Sequence, residues 1–493
     1  MAVPKRKTIV VLILVGFFAL LFGFLIWYFS GLLFGQTTVD EQGRVIRTPG
    51  LFPFGDGSVA PFVPTDTLPA PNNGNGEVVG QLNDDGVFIP RLRLISQSPT
   101  VAATTFPVTF PGRASKNYDA IRYVDKNTGH VFDARSNSLE VDRISNTTIP
   151  GIRNGFFTSS TTLVLQYDDT FDNRKTFSAS LARVLGADSD NQRQLQGIFL
   201  EDNMREVTYD DRTGQLFYFR EFEQDPGTTI GLVSDTNGDG KKQIFSSPLS
   251  EWKPNWEGPR GTISLDSTAS YETFGPSFSL NTATAALSPF VPARLALQTL
   301  TNDAGTKSLV SLRDQGRMRL FLYDIETTEY QDLNLETTID KCTWGAEDLF
   351  IYCGVPVDGM RGFVPDGWYQ GAMRLEDEMW LIEAASGLTR PLFNPVEYYD
   401  VTIDMIDVEI SPDNKYLIFK NKNDYSLWTY ELLDDRENNL FLSDDLVEDD
   451  FDIDPSEPTE DTVAATSTVI DAEVNASIES TLPLEPEAAE DDF

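Results

Sequence analysis

The chain has 493 residues and a formal net charge of -38, with 76 acidic side chains against 38 basic ones. That imbalance excludes nucleic acid as a partner, because phosphate backbones are held by clustered Lys and Arg. A single histidine, His130, and two cysteines, Cys342 and Cys353, rule out a Ser-His-Asp or Cys-His centre anywhere but at His130, and a zinc site of the usual composition.

Residues 1–7 carry Lys5, Arg6 and Lys7, and the stretch from Thr8 to Phe34 then runs without a charge, rich in Val, Ile, Leu and Phe. At about 1.5 Å per residue it reaches roughly 40 Å as a helix, more than the ~30 Å hydrocarbon core. Bases before it and Asp40 and Glu41 after it place residues 1–7 in the cytoplasm and the remainder outside. A cleaved signal peptide would carry an apolar core of about 7–15 residues and a small-x-small cleavage site, and Ser30-Gly31-Leu32-Leu33 is a poor one. The expectation is therefore one uncleaved transmembrane helix over 8–34, in a single-pass protein of the cell membrane. Residues 35–90 follow as a linker, broken by Pro49, Pro53, Pro61, Pro64, Pro69 and Pro71 and loosened by Asn72-Asn73-Gly74-Asn75-Gly76, a semi-extended tether in which no regular element is expected.

From 91 to 432 the pattern becomes short strands and turns. Ala120-Ile121-Arg122-Tyr123-Val124 and Arg319-Leu320-Phe321-Leu322-Tyr323 alternate, and Asp125-Lys126-Asn127-Thr128-Gly129 and Ser411-Pro412-Asp413-Asn414 mark turns. Phe (33) and Tyr (16) far exceed Trp (7) and Met (7), a ring-rich composition that suits strands, and no stretch keeps a 3.6-residue apolar period. A loose repeat starts near residues 154, 204, 254, 296, 340 and 407. Spacings of roughly 40–50 residues, with one longer, suit four-stranded blades, so the fold class read here is all-β, a β-propeller. Seven blades fit, the seventh pairing Arg91 to Ser96 and Ala120 to Arg135 with the other end of the chain; six or eight remain open. From Asp434 to the end stand 21 Asp or Glu and one base, Arg436, so residues 433–493 read as a disordered acidic tail that cannot bury enough surface to offset ordering.

Four segments of the final third, Lys341-Cys342-Thr343-Trp344, Ile351-Tyr352-Cys353, Pro365-Asp366-Gly367-Trp368-Tyr369-Gln370-Gly371 and Asp424-Tyr425-Ser426-Leu427-Trp428, resemble a family of membrane-anchored propeller proteins of candidate-phyla bacteria with TolB-like or WD40-like repeats. Ile244 to Trp252 is a weaker match. The resemblance implies the propeller and the anchor, and implies no activity.

Cys342 and Cys353 flank a hairpin turning near Gly345 to Asp348. Counting outward places them opposite each other at about 4.5–5.5 Å between Cβ atoms, near disulfide range. A structural disulfide and two free buried thiols both stay open. Asp235, Asn237 and Asp239, with Gly240 at the sixth position, match the first half of a calcium loop, but Ser246 stands where the twelfth-position acid belongs. Calcium is thus the one cofactor considered, against a plain polar turn. The long segment from Val355 to Asp377 carries Arg361, Phe363, Trp368, Tyr369 and Gln370, residue types used at binding hot spots, though the rings could equally hold the loop onto the propeller. Acids such as Asp168, Asp169, Asp210 and Asp211 allow paired-carboxylate hydrolysis in number, yet sit in turns. The leading expectation is a non-catalytic binding or scaffold module in the cell envelope, its partner an envelope protein or glycan. An envelope hydrolase using carboxylates and a structural surface component are the alternatives.

Overall fold

The computed structural model describes residues 36–39, 45–48 and 80–432, except 84–85, 110–116, 170–172, 183–192 and 257. The expected transmembrane helix over 8–34 and the acidic tail over 433–493 lie outside these. Among the described residues no helix is long and apolar enough to cross a membrane.

Among the same residues seven four-stranded antiparallel sheets succeed one another along the chain. The first strands of these blades are Thr100–Thr109, Ile152–Ser159, Arg205–Asp210, Trp252–Asn255, Gln298–Thr301, Cys342–Trp344 and Met405–Ile410. Blades 1 to 6 take all four strands in sequence order. Blade 7 has three, Met405–Ile410, Tyr416–Asn421 and Leu427–Glu431, and borrows Leu92–Ser96 as its outermost strand, with Tyr430 opposite Leu92 and Trp428 opposite Leu94.

An apolar cluster fills every junction, which is what a closed ring requires. Val101, Val131, Ile152 and Leu165 join blades 1 and 2, and Val164, Met204 and Tyr218 join blades 2 and 3. Phe217, Trp252 and Ile263 join 3 and 4; Val291, Leu297 and Val310 join 4 and 5; Leu300, Leu320, Trp344 and Ile351 join 5 and 6. Met379, Phe393, Met405 and Phe419 join 6 and 7, and Ile418, Ile95, Ile121 and Tyr123 close the ring between 7 and 1.

Two expectations are corrected. Ala120 to Arg135 does not share the closing blade with Arg91 to Ser96. Those residues lie in blade 1, whose four strands are all local, and only Leu92–Ser96 crosses to the chain's other end. Within the proline-rich segment over 35–90, Gln36–Val39 pairs with Val45–Thr48 and Gly80–Leu82 with Phe88–Pro90. Proline breaks a ladder only where a donor is needed, and these short runs lie on either side of the Pro49 to Pro71 stretch.

Antiparallel order sorts the connections between the two faces of the ring. Turns joining first to second and third to fourth strands fall on one face. Loops joining second to third strands, and the crossings between blades, fall on the other. Leu92 and Tyr430, paired near the points where the described chain enters and leaves the ring, lie at the first of these faces.

Asp266, in the second strand of blade 4, is almost fully buried and accepts from the Thr299 amide at 2.6 Å and the Thr299 hydroxyl at 2.9 Å. Burial pushes its carboxyl up to about 6, with those donors opposing. Between about pH 4 and pH 6 the folded chain thus holds a proton that the unfolded chain has released. Stability should fall as pH rises through this window, by roughly 3 kcal/mol in all. Asp266→Asn keeps an acceptor and does not titrate, so urea midpoints of the variant should show a flatter pH dependence there.

Candidate functional site

Blade 6 carries an insertion of residues 357–376 between Phe350–Pro356 and Asp377–Glu383, on the face opposite the paired strand ends. Its one regular element is the short helix Asp366–Tyr369. Side chains strap it across neighbouring blades. Asp366 accepts from the Tyr271 amide at 2.5 Å and the Ser270 hydroxyl at 3.2 Å, both from blade 4. The Phe363 ring lies 5.3 Å from Tyr271, on which the Arg313 guanidinium sits. Arg361 and Arg317 each reach Glu336 at 2.7 Å, and the Met318 amide of blade 5 donates to the Met360 carbonyl. Lys422 of blade 7 donates to the Trp368 carbonyl at 2.6 Å. Under the strap, Val364, Met360 and Trp368 bury against Met318, Ala269 and Ala296.

Trp368 is the keystone of this arrangement. Its indole nitrogen donates to the Asp404 carboxylate at 3.0 Å, and Lys341 and Lys422 stand over its ring, each ammonium 4.9 Å from the centroid. Behind it lies a sealed ionic trio: Lys341 Nζ is 2.5 Å from Asp377 Oδ2 and 2.5 Å from Asp404 Oδ1, with side-chain exposures of 0%, 0% and 1%. Asp404 Oδ2 also accepts from the Leu375 amide and Asp377 Oδ2 from the Met405 amide. Burial raises the Asp377 carboxyl to about 6; Lys341 opposes the rise and Asp404 adds to it. Gly354 is required beside the trio, since a Cβ there would stand 2.9 Å from Met405 Cβ.

A cavity of about 340 Å³ opens at the centre of the ring, lined by first-strand residues of blades 5 to 7, including Leu300 and Ile406, and roofed by Trp368 and Tyr369. Its polar lining is Asp340, Asp407, Lys422 and Asn255. The Tyr369 hydroxyl donates to Asp340 at 2.6 Å and lies 3.0 Å from Gln298 Oε1; burial, then the Asp340 charge, hold the phenol well above its ordinary range. Asp407 is paired with Lys420 at 2.6 Å, and burial lowers the Lys422 ammonium. The result is a pocket with apolar walls and charges of both signs, suited to gripping a ligand by shape and a few polar contacts.

The five insertion residues named from the sequence divide. Trp368 and Tyr369 turn inward and line the cavity, whereas Arg361, Phe363 and Gln370 lie on the outer surface, Phe363 at 53% exposure. Asp235, Asn237 and Asp239 lie on the opposite face, in the hairpin joining the third and fourth strands of blade 3. There Asp235 Oδ1 accepts from the amides of Asn237 and Asp239, the bonding of a polar turn. Among the described residues no group of three or more His, Cys, Asp or Glu is placed to hold a metal ion. Cys342 and Cys353 stand in register across the first two strands of blade 6 and are bonded to each other. Asp168 pairs with Arg153 and Arg174, Asp169 accepts from the Asn173 amide, and Asp210 caps a turn through Arg212 and Thr213. The sequence did not single out Lys341, Asp377 or Asp404. Each acid sits at a loop-to-strand boundary, where an isolated Asp reads as a turn, and they are 36 and 63 positions from the lysine.

No protein-family model matches the chain, and no curated protein matches it. Solved structures do. Oligogalacturonate lyase from Vibrio parahaemolyticus is 7% identical, with 68% of this chain and 99% of that one covered at a TM-score of 0.44. TolB from Acinetobacter baumannii is 10% identical over 68% and 80% of the two chains, TM-score 0.36. The β-propeller domain of the Trilobed protease from Pyrococcus furiosus is 10% identical over 66% and 93%, TM-score 0.40. At such identities the likeness concerns the propeller fold alone.

Proposed function

We propose that the protein is a membrane-tethered, extracytoplasmic binding module that engages a protein or glycan of the cell envelope, without catalysis, through the insertion face of its propeller. The observation that carries this reading is the cavity at the ring centre beneath Trp368 and Tyr369, beside a strap whose outer surface presents Arg361, Phe363 and Gln370. A rigid ring with one elaborated loop on its face is a scaffold for recognition. The carboxylates at the centre favour binding over hydrolysis, because Asp377 and Asp404 are sealed by Lys341 and Asp340 is engaged by Tyr369. The Cys342–Cys353 bond supports an oxidising compartment. Since the paired strand ends lie at the opposite face, a tether over 35–90 would approach from there and leave the insertion face turned outward.

Capture from native membranes with the full-length chain as bait tests this. The double variant Arg361→Glu, Phe363→Ala alters exposed groups and should retain less than about a tenth of the captured partner, the loss expected for a contact of one hot-spot residue or more. Asn237→Ala, on the opposite face, should capture as the wild type does. Equal capture by all three chains would remove the insertion face from the reading.

A further inference from the structure

The trio behind Trp368 has features that an ordinary buried ion pair does not need. One ammonium faces two carboxylates with all three side chains closed to solvent, and the only further cation felt there among the described residues, Lys422, acts on Asp404 and not on Asp377. Asp404 accounts for itself, since the Trp368 indole and the Leu375 amide donate to it besides Lys341. Asp377 does not. Its Oδ2 takes both of its donors, Lys341 Nζ at 2.5 Å and the Met405 amide at 2.6 Å, while Oδ1 is buried without a hydrogen-bond partner. An amine this close to a carboxyl oxygen stands near the about 3–3.5 Å separation from the carboxyl carbon at which groups react.

We infer that Lys341 and Asp377 condense into an intramolecular amide, with Asp404 carrying the proton between them. Asp404 takes a proton from the Lys341 ammonium, freeing the nitrogen lone pair. Nζ bonds to Asp377 Cγ, and the carbonyl electron pair moves onto Oδ2, where the Met405 amide is already aimed, as a donor should be to a developing oxyanion. The nitrogen sheds a second proton, the carbonyl re-forms, and the bond from Cγ to Oδ1 breaks. Oδ1 leaves as water with the two protons given up by the nitrogen, one of them returned by Asp404, which ends ionised as it began. One ammonium and one carboxylate thus become one amide and one water, with no redox partner.

The surroundings favour this direction. Exclusion of solvent removes the water that would hydrolyse the product. The amide also abolishes two buried charges whose desolvation is costly, leaving a single carboxylate with ready-made donors. The raised Asp377 carboxyl holds protons more strongly than an ordinary carboxylate, which favours their transfer to Oδ1 as it leaves as water. The bond would fasten the residue before the first strand of blade 6 to the start of its third strand, beside the Cys342–Cys353 bond joining the first and second. Both cross-links would then anchor the blade that bears the insertion.

Peptide mapping of the full-length protein, reduced, denatured and digested with trypsin, decides the matter. The expected result is absence of cleavage after Lys341, and a branched species joining the Lys341 and Asp377 peptides that is lighter than their sum by one water. A linear peptide ending at Lys341, recovered in full yield, overturns the proposal. In Asp404→Asn, which preserves the shape of the side chain, cleavage after Lys341 should return. Branched product in that variant at the wild-type level would overturn the role given to Asp404.

Discussion

A chain truncated to begin at residue 97 will not give a soluble, cooperatively unfolding protein, whereas one beginning at residue 79 will melt as the full chain does. The difference is the closing strand. Leu92–Ser96 completes blade 7, burying Leu92, Leu94 and Ile95. The Tyr399 hydroxyl donates to the Leu92 carbonyl at 2.5 Å, and Arg93 donates to the Ser138 and Arg135 carbonyls of blade 1. Emptying one buried leucine site costs about 2–5 kcal/mol, and whole domains are stable by only about 5–15 kcal/mol. Removing the strand forfeits three such side chains and a ladder, opens the junction of blades 7 and 1, and leaves Leu427–Glu431 as an unprotected edge that invites aggregation. Soluble yield and a thermal melt are the readouts. A residue-97 chain melting at the wild-type temperature would mean that the ring does not depend on this closure.

Lys341→Met should destabilise the protein by about 3–5 kcal/mol or more, the range for leaving buried charge uncompensated, whether the lysine is held by charge or by the amide inferred above. Methionine nearly matches the lysine stem in length, so the loss comes from removing the nitrogen, charged or condensed, rather than from steric change. It strands Asp377 beside Asp404 with no cation between them, where like charges within a few ångströms cannot both stay ionised. Asp404 also anchors the Trp368 indole, so the damage should spread to the insertion. Adding Asp377→Leu removes the stranded charge and should recover about 1–3 kcal/mol, a coupling typical of contacting residues. Denaturant midpoints at unchanged slope are the measurement. A loss under about 1 kcal/mol for Lys341→Met alone would show that the Lys341 nitrogen, ionic or condensed, does not hold the trio together.

Much of the ring was legible because each blade repeats a local pattern. Starts read near residues 154, 204, 254, 296, 340 and 407 correspond to first strands beginning at Ile152, Arg205, Trp252, Gln298, Cys342 and Met405. Turn chemistry marks these units clearly: Asp125 Oδ1 accepts from the Asn127 and Thr128 amides, with Gly129 at a positive φ of 76°. The closure was only half legible. The pairing of Leu92 with Tyr430 spans most of the chain, and no local period reports so distant a partner or separates Leu92–Ser96 from Ala120 to Arg135. The insertion was found by its length, but the inward turn of Trp368 was not, because an amphipathic ring suits a buried and an exposed site equally. The direction is set by Asp404, Lys422 and the tie from Asp366 to blade 4, none of them adjacent in sequence. The trio was hidden for the same reason.

The proposed binding role depends on which face of the ring meets a partner. A photo-activatable residue placed at Phe363 or at Gln370 of the full-length chain, in native membranes, should form covalent adducts on irradiation, and the same residue at Asn237 should form none. Adducts from Asn237 with none from the two insertion positions would contradict it.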